Sequence, residues 1–171
     1  MNGKFEFKAD IAVDDAGVIS GIAWPFGTPD RVGDEIAPGA FKSAKAPLPL
    51  LFAHDPSQPL GAWDQLEETA KGLQVKGRLL VDDVARAKEV RALVKSGAVT
   101  GLSIGFITKS ARARRGGGRV IKALDLVEVS LVTVPAHPGA RVTSAKSATA
   151  LIALADAINR ASAALQPKAS K

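Results

Sequence analysis

Short runs in which apolar and polar residues alternate, separated by turns rich in Gly, Pro and Asp, make up most of this 171-residue chain. The first run has an apolar side chain at every second position: Phe5, Phe7, Ala9, Ile11 and Val13. A period of two is typical of a strand with one buried face. The same reasoning predicts further strands at residues 18–24, 48–54, 60–67, 73–81, 98–108 and 120–134. Seven or eight short strands predict a mainly antiparallel β domain, and a small closed β-barrel is their natural closure.

One segment has the spacing of a helix rather than of a strand. Between residues 82 and 97 the apolar residues recur every three or four positions: Val84, Ala87, Val90, Leu93 and Val94. We expect Asp82 or Asp83 to cap the start of this helix and Gly97 to end it. A second, shorter helix is predicted to start in residues 38–41. The predicted fold class is therefore mainly β with helices (α+β).

The composition changes near residue 147, where the Ala-rich stretch TALIALADAINRASAAL begins. Ala favours helix, but the apolar face of this stretch is narrow, so we expect a helical tail that packs weakly on the rest of the chain. The length suits a single domain with such a tail. We therefore predict one domain at residues 1–142 and a basic tail at residues 143–171.

The net charge of +6 is unevenly distributed. Residues 109–122 carry six basic residues and no acid, and residues 141–171 carry five against one acid, which leaves −4 for the rest of the chain. A mildly acidic domain with few aromatic residues is not expected to bind nucleic acid specifically. We expect the segment 109–122 to be a mobile, solvated loop, and the alternative is a docking site for acidic partners.

The sequence also limits the classes of site that are available. No apolar stretch approaches the roughly 18 residues of a membrane-spanning helix, and the start, MNGKFEFKAD, lacks the apolar core of a signal peptide. The absence of Cys excludes disulfides and Cys-ligated metals. With His54 and His137 as the two His residues, a three-His zinc site is excluded too. We expect no membrane partner, no metal and no cofactor.

Three polar side chains lie within apolar segments: His54 in LLFAHDP, Ser103 in TGLSIGF and Glu128 in LDLVEVSLV. Each has a structural interpretation, as a surface His, a packed hydroxyl, and a carboxylate that is paired or faces solvent. Together they are the residue types of a hydrolytic triad, although composition does not show that they meet. In that interpretation Gly101 and Gly105 leave room for a substrate backbone beside the nucleophile.

The remaining candidates are weaker. Asp125 could take the part of Glu128 at a different register of the same strand. Asp30, Asp34 and Glu35 could ligate a cation, although an acidic, solvated loop is the favoured interpretation. The three glycines at 116–118 lack the Lys and Ser or Thr that a phosphate-binding loop requires.

A longer pattern runs through these segments in a fixed order. It consists of GIAWPFGTPDRVGDEIAPGAF, PLLFAHDPSQPLG, GLQVKGRL, KSGAV, TGLSIGF and LVEVSLVTVPAHPGA. The pattern extends over roughly residues 10–142, and the tail lies outside it. The chain resembles the prohead (capsid maturation) proteases of tailed bacteriophages, a serine peptidase family similar in fold to the herpesvirus assemblins.

The resemblance implies an assemblin-like barrel in which Ser103 is the nucleophile and His54 the base. Assemblins use a second His as the third member of the triad, whereas the phage branch uses an acid. The acid falls on Glu128 here, and His137 is then a loop residue. The oxyanion hole is not assigned by the resemblance, and its two candidate locations are the strand after Thr108 and the turn near Gly139.

The function implied is that of a serine endopeptidase that cleaves scaffold or capsid-protein segments in an assembling procapsid in the bacterial cytoplasm. Self-cleavage is a further reaction that this function allows. Its implied partners are the major capsid protein or its scaffold segment and, as in many assemblins, a second copy of the chain. A rival from another class is a non-catalytic capsid-assembly or scaffold-binding adaptor, in which Ser103 is merely packed.

Overall fold

The computed structural model describes residues 13–143 of the chain. Eight strands and one helix follow one another in this part: β1 (Val18–Pro25), β2 (Glu35–Ile36), β3 (Leu48–Phe52), β4 (Asp55–Thr69), β5 (Gly72–Leu79), α1 (Ala85–Ser96), β6 (Gly101–Ala113), β7 (Arg119–Val132) and β8 (Arg141–Thr143). The predicted strand at 5–13 lies outside the described residues except for Val13, which forms a bridge with Ile19. The predicted tail lies outside them as well, apart from Thr143 at the end of β8.

The strands form one sheet in the order β2-β7-β3-β4-β5-β1-β8-β6, and β6 also pairs with β7. This last pairing closes seven strands into a barrel, with β2 as an extra strand on β7. The prediction of a small closed barrel with one helix is confirmed. Two pairings differ from the antiparallel expectation, because β2 and β3 both run parallel to β7. The long chain segments between these strands allow such crossovers.

The barrel is filled by side chains that alternate with outward-facing ones. In β5, for example, Leu73, Val75 and Leu79 are buried, while Lys76 and Arg78 between them are exposed. The largest buried side chain is that of Trp63, whose indole N–H donates a hydrogen bond of 2.9 Å to the Val129 carbonyl. This bond fixes β4 against β7 across the inside of the barrel.

The helix α1 covers the barrel with the stripe that its sequence predicts. Ala87, Val90 and Val94 are fully buried. The helix ends as predicted at Gly97, whose φ of 81° is in the left-handed region that favours glycine. The prediction for its start is wrong, because the N-cap is Val84 and no side chain caps the helix. A turn closed by a hydrogen bond from the Val84 N–H to the Leu80 carbonyl places both aspartates before the helix.

Residues 35–44 also differ from the prediction. No helix forms at residues 38–41, where consecutive turns are closed by bonds from the Ala40 N–H to the Ala37 carbonyl and from the Ala44 N–H to the Phe41 carbonyl. The preceding pair Glu35–Ile36 is a strand that sequence analysis missed. Two residues are too few to show alternation.

The basic segment 109–122 is largely β-structure rather than a loop, since β6 and β7 leave only residues 114–118 as the connection. Acidic side chains from other parts of the sequence offset its charge: Lys109 pairs with Asp125 at 2.6 Å, Arg114 with Glu35 at 3.4 Å, and Arg119 with Asp34. A mobile loop was predicted because the basic side chains of the segment should repel one another. That prediction is wrong because the acidic partners lie outside residues 109–122 in the sequence.

No helix among residues 13–143 is both long and apolar enough to cross a membrane.

Candidate active site

Three neighbouring strands bring the candidate residues together on the outer face of the barrel. The middle strand is β7, with β3 on one side and β6 on the other. Ser130 of β7 lies opposite Leu51 of β3 and opposite Ser103 of β6. Glu128, two residues earlier on β7, lies opposite Gly105. Residues two apart on a strand share a face, so Ser103, Ser130 and Glu128 lie on one surface.

His54 reaches this surface from the turn between β3 and β4. Phe52 pairs with Asp55, so Ala53 and His54 form a two-residue hairpin connection. Both have positive φ values, 52° and 61°, which is uncommon for residues other than glycine. His54 was predicted to be the last residue of the strand at 48–54; in the structure it lies in the turn, together with Ala53.

The imidazole of His54 is paired with the carboxylate of Glu128. The distance from Nδ1 to Oε1 is 2.7 Å. The side chain of His54 is 44% exposed, whereas that of Glu128 is 9% exposed. The hydrogen bond to Glu128 raises the pKa of His54 above its ordinary value, and burial opposes this rise. With Nδ1–H donated to the carboxylate, the neutral imidazole has an unprotonated Nε2, which is the form that a general base needs.

Ser130 is a member of this cluster that sequence analysis missed. It is fully buried, its hydroxyl donates a hydrogen bond of 2.6 Å to Oε2 of Glu128, and its Oγ accepts one of 3.0 Å from the backbone N–H of His54. The sequence feature that could have identified Ser130 is its position as a second polar residue in the apolar run LVEVSLV, two residues from Glu128 and therefore on the same strand face.

Gly105 makes space for the carboxylate rather than for a substrate backbone. A Cβ atom at this position would lie 2.4 Å from Oε1 of Glu128. A Cβ atom at Gly101 would lie 2.8 Å from Cδ of Pro135. The two glycines were expected to leave room for a substrate backbone beside Ser103. The space beside each of them is instead occupied by the protein itself, by Glu128 at Gly105 and by Pro135 at Gly101.

Ser103 lies on the strand beside this cluster and is 5% exposed. Its cross-strand neighbour is Ser130, which contacts both His54 and Glu128. Within the described residues, no hydrogen bond joins the Ser103 hydroxyl to the imidazole. Contacts between nucleophile and base are often longer in the absence of substrate.

Neither alternative to Glu128 contacts His54. Asp125 is engaged by Lys109 at 2.6 Å. The ring of His137 is buried against Trp24, with ring centroids 4.9 Å apart. Its Nε2 lies 3.0 Å from the Thr28 carbonyl, and its Nδ1 accepts a bond of 3.0 Å from the Gly139 N–H. His137 is thus a packed loop residue, and the Gly139 amide, near which an oxyanion hole was considered, is already in use.

The acidic loop considered as a cation site has protein partners. Asp34 is 8% exposed and accepts three hydrogen bonds from the Arg119 side chain, which lower its pKa below the ordinary value. Asp30 accepts bonds from the backbone N–H groups of Val32 and Asp34. Among residues 13–143, no three His, Asp or Glu side chains are grouped as metal ligands. The loop is therefore ordered by ion pairing and is not the solvated loop that was expected.

Known structures with the same fold include two viral proteases. The capsid assembly protease of bacteriophage T4 matches 68% of this chain and 81% of its own, with a TM-score of 0.56 and 18% identity. The KSHV protease, solved with a hexapeptide phosphonate inhibitor, matches 73% of this chain and 63% of its own, with a TM-score of 0.52 and 18% identity. At this level of identity the likeness shows the assemblin-like fold.

Sequence relatives are closer. The prohead protease of Enterobacteria phage HK97 is 35% identical over 150 residues, 84% of this chain and 66% of its own length. The capsid polyprotein of Pseudomonas phage PAJU2 is 36% identical over 78% of this chain and 21% of its own length. The chain thus spans just under two thirds of the first relative and about a fifth of the second. The family described as Caudovirus prohead serine protease matches residues 4–153, and the chain belongs to this family.

Proposed function

We propose that this protein is a serine endopeptidase in which Ser103 is the nucleophile, His54 the general base, and Glu128 the residue that orients the imidazole. The observation that carries the proposal is the His54–Glu128 pair, which lies beside Ser103 on adjoining strands of the barrel. Membership of a family described as Caudovirus prohead serine protease supports a serine as the nucleophile. The buried carboxylate stabilises the imidazolium that forms when His54 accepts a proton.

The proposed reaction follows from these positions. Ser103 Oγ attacks the carbonyl carbon of a peptide bond while its proton passes to Nε2 of His54. The C–N bond then breaks, the same proton passes to the leaving amine, and an acyl group remains on Ser103. Water attacks this ester with His54 again as base, which releases the second product and restores the hydroxyl.

The proposed substrates are scaffold or capsid-protein segments of a procapsid that assembles in the bacterial cytoplasm. The names of the relatives support this assignment, because they include prohead proteases and a capsid polyprotein. An extended, flexible segment fits best, since a folded chain must open to enter a protease cleft. We further propose that residues 1–142 form the protease domain and that the tail 143–171 is separable from it.

Co-expression with the major capsid protein from the same genome tests this function. We expect cleavage of the capsid protein, with cut sites mapped by mass spectrometry, and no cleavage by Ser103→Ala. The matched control is Ser43→Ala, which removes a hydroxyl bonded to the Leu124 carbonyl away from the candidate site. Ser43→Ala should cleave like the wild type.

Two outcomes would contradict the proposal. Equal cleavage by Ser103→Ala would assign the reaction to another residue. An intact capsid protein that nevertheless co-purifies with the wild-type chain would favour the non-catalytic adaptor.

A further inference from the structure

We propose that Ser130 is a positioning residue, which sets the orientation of His54 by binding its backbone and the Glu128 carboxylate at the same time. This inference rests on the proposed function, because orientation of the imidazole matters for a reaction at Ser103. Ser130 is not itself placed against the reacting atoms.

The evidence is a closed ring of three hydrogen bonds. The His54 backbone N–H donates to Ser130 Oγ at 3.0 Å, and the Ser130 hydroxyl donates to Glu128 Oε2 at 2.6 Å. The other carboxylate oxygen, Oε1, accepts from Nδ1 of His54 at 2.7 Å. The ring therefore fixes the main chain and the imidazole of His54 relative to one point on β7.

The conformation of the hairpin turn explains why such an anchor is needed. Left-handed backbone is unfavourable for a residue other than glycine, and Ala53 and His54 adopt it in succession. Such a conformation persists where the surroundings hold it in place. The two N–H groups of the turn are both held by β7, Ala53 by the Leu131 carbonyl at 3.0 Å and His54 by the Ser130 hydroxyl.

The hydroxyl of Ser130 also acts on the carboxylate. Ser130 is fully buried, and Glu128 is buried too, so water contributes little to solvating the charge. A donated hydrogen bond stabilises the buried anion and also makes the hydroxyl oxygen a better acceptor for the His54 N–H. A methyl group in its place would leave the imidazole as the main hydrogen-bond partner of the anion.

Other charged groups near the turn are engaged elsewhere. Asp55 accepts hydrogen bonds from Ser57. Arg86 of α1 lies 4.8 Å above the Phe52 ring and pairs with Glu89. Within residues 13–143, no hydrogen bond or ion pair joins Asp55 or Arg86 to the imidazole. The protonation state of His54 should therefore respond mainly to Glu128 and to the Ser130 hydroxyl, which is hydrogen-bonded to Glu128.

The test uses a fluorophosphonate probe, whose reaction with Ser103 needs the base but not the natural substrate. In the full-length chain, Ser130→Ala should slow labelling of Ser103 about 10- to 100-fold, since small errors in position cost rates of this size. It should also move the acid limb of the labelling rate to higher pH, because the anion then depends more on the imidazolium for stabilisation. Ser130→Thr retains the hydroxyl and should restore both properties, while Ser43→Ala should change neither.

A titration of the His54 imidazole by NMR provides a readout that is independent of reactivity. We expect the His54 pKa to rise in Ser130→Ala and to return toward the wild-type value in Ser130→Thr. If Ser130→Ala does not fold, Ser130→Cys fills the position with a slightly larger group that is a weaker donor, and it should change the pKa in the same direction.

The outcomes separate this inference from the proposed function. Wild-type protein that is not labelled at Ser103 would contradict the proposed function, and the NMR titration would still decide the role of Ser130. Normal labelling of Ser130→Ala at an unchanged pH midpoint would overturn the inference alone. A lower melting temperature with unchanged labelling and unchanged His54 pKa would show that Ser130 merely fills a buried position.

Discussion

At the scale of single residues, the imidazole of His54 and the carboxylate of Glu128 are coupled by a short hydrogen bond in a partly buried setting. The coupling raises the His54 pKa above its ordinary value of about 6.5. A general base must be unprotonated, so the active fraction of the protein grows as the pH rises through this raised pKa. The same coupling stabilises the folded state at pH values below about 6.5 and is lost as the pH rises through the folded-state pKa.

The pH dependence of the Ser103 labelling rate should reflect this state of His54. In the wild-type protein we expect the labelling rate to reach half of its maximum at a pH above about 6.5. In Glu128→Gln the charge is lost and burial alone remains, so the midpoint should move to lower pH. The plateau should fall on the order of 10²–10⁴-fold, because the imidazolium is no longer stabilised and the tautomer is no longer fixed.

A parallel NMR titration of His54 checks the cause of this shift. A lower His54 pKa in Glu128→Gln than in the wild type would agree with the labelling midpoints. Identical midpoints in the two proteins would show that Glu128 is not coupled to the base.

Single-residue chemistry was partly predictable from the sequence. His54, Ser103 and Glu128 could be singled out because a polar group in an apolar segment needs a reason to be there. The role of Gly105 could not, because it depends on the register of β6 against β7, which shifts at a bulge after Gly105. The role of Ser130 could not either, because it depends on the pairing of β3 with β7, which brings the turn at His54 to Ser130. Neither role can be recognised until the pairing of β7 with its two neighbouring strands is known.

At the scale of secondary-structure elements, the connection from β3 to β4 is the part that most affects the site. A two-residue hairpin turn with two positive φ values is usually formed by Asn-Gly or a similar pair. This chain has Ala53-His54 there, so the sequence predicted a strand that continues through His54 instead of a turn. The alternating strands and the stripe of α1 were easier to predict, because their burial follows local periodicity.

Ala53→Asn should stabilise the protein, since Asn tolerates left-handed backbone better than Ala. We expect the free energy of unfolding to rise by about 0.5–1 kcal/mol, a fraction of the cost of that conformation for Ala. Denaturant unfolding monitored by tryptophan fluorescence would measure the change. Ala53→Val at the same exposed position should be destabilising, and an Ala53→Val variant as stable as Ala53→Asn would argue against strain in this turn.

At the scale of the whole molecule, the site exists because the barrel closes. Ser103 and Glu128 lie on strands that follow one another in sequence, but His54 reaches them through a parallel pairing of β3 with β7 across about 75 residues of chain. Local patterns predicted six of the eight described strands, all except β2 and β8, whereas these long-range pairings and the ion pairs along the basic hairpin depend on closure. Periodicity could not show that His54, Ser103 and Glu128 share one site. That expectation came from the family resemblance.

The central claim is that this closed barrel presents Ser103 as a nucleophile activated by His54. The most direct measurement is the site and stoichiometry of fluorophosphonate labelling, determined by intact mass and peptide mapping of the full-length protein. We predict one adduct per chain, on Ser103, that is absent in Ser103→Ala and slowed by several orders of magnitude in His54→Ala. An adduct on another residue, or labelling of Ser103 at an equal rate in His54→Ala, would contradict the account.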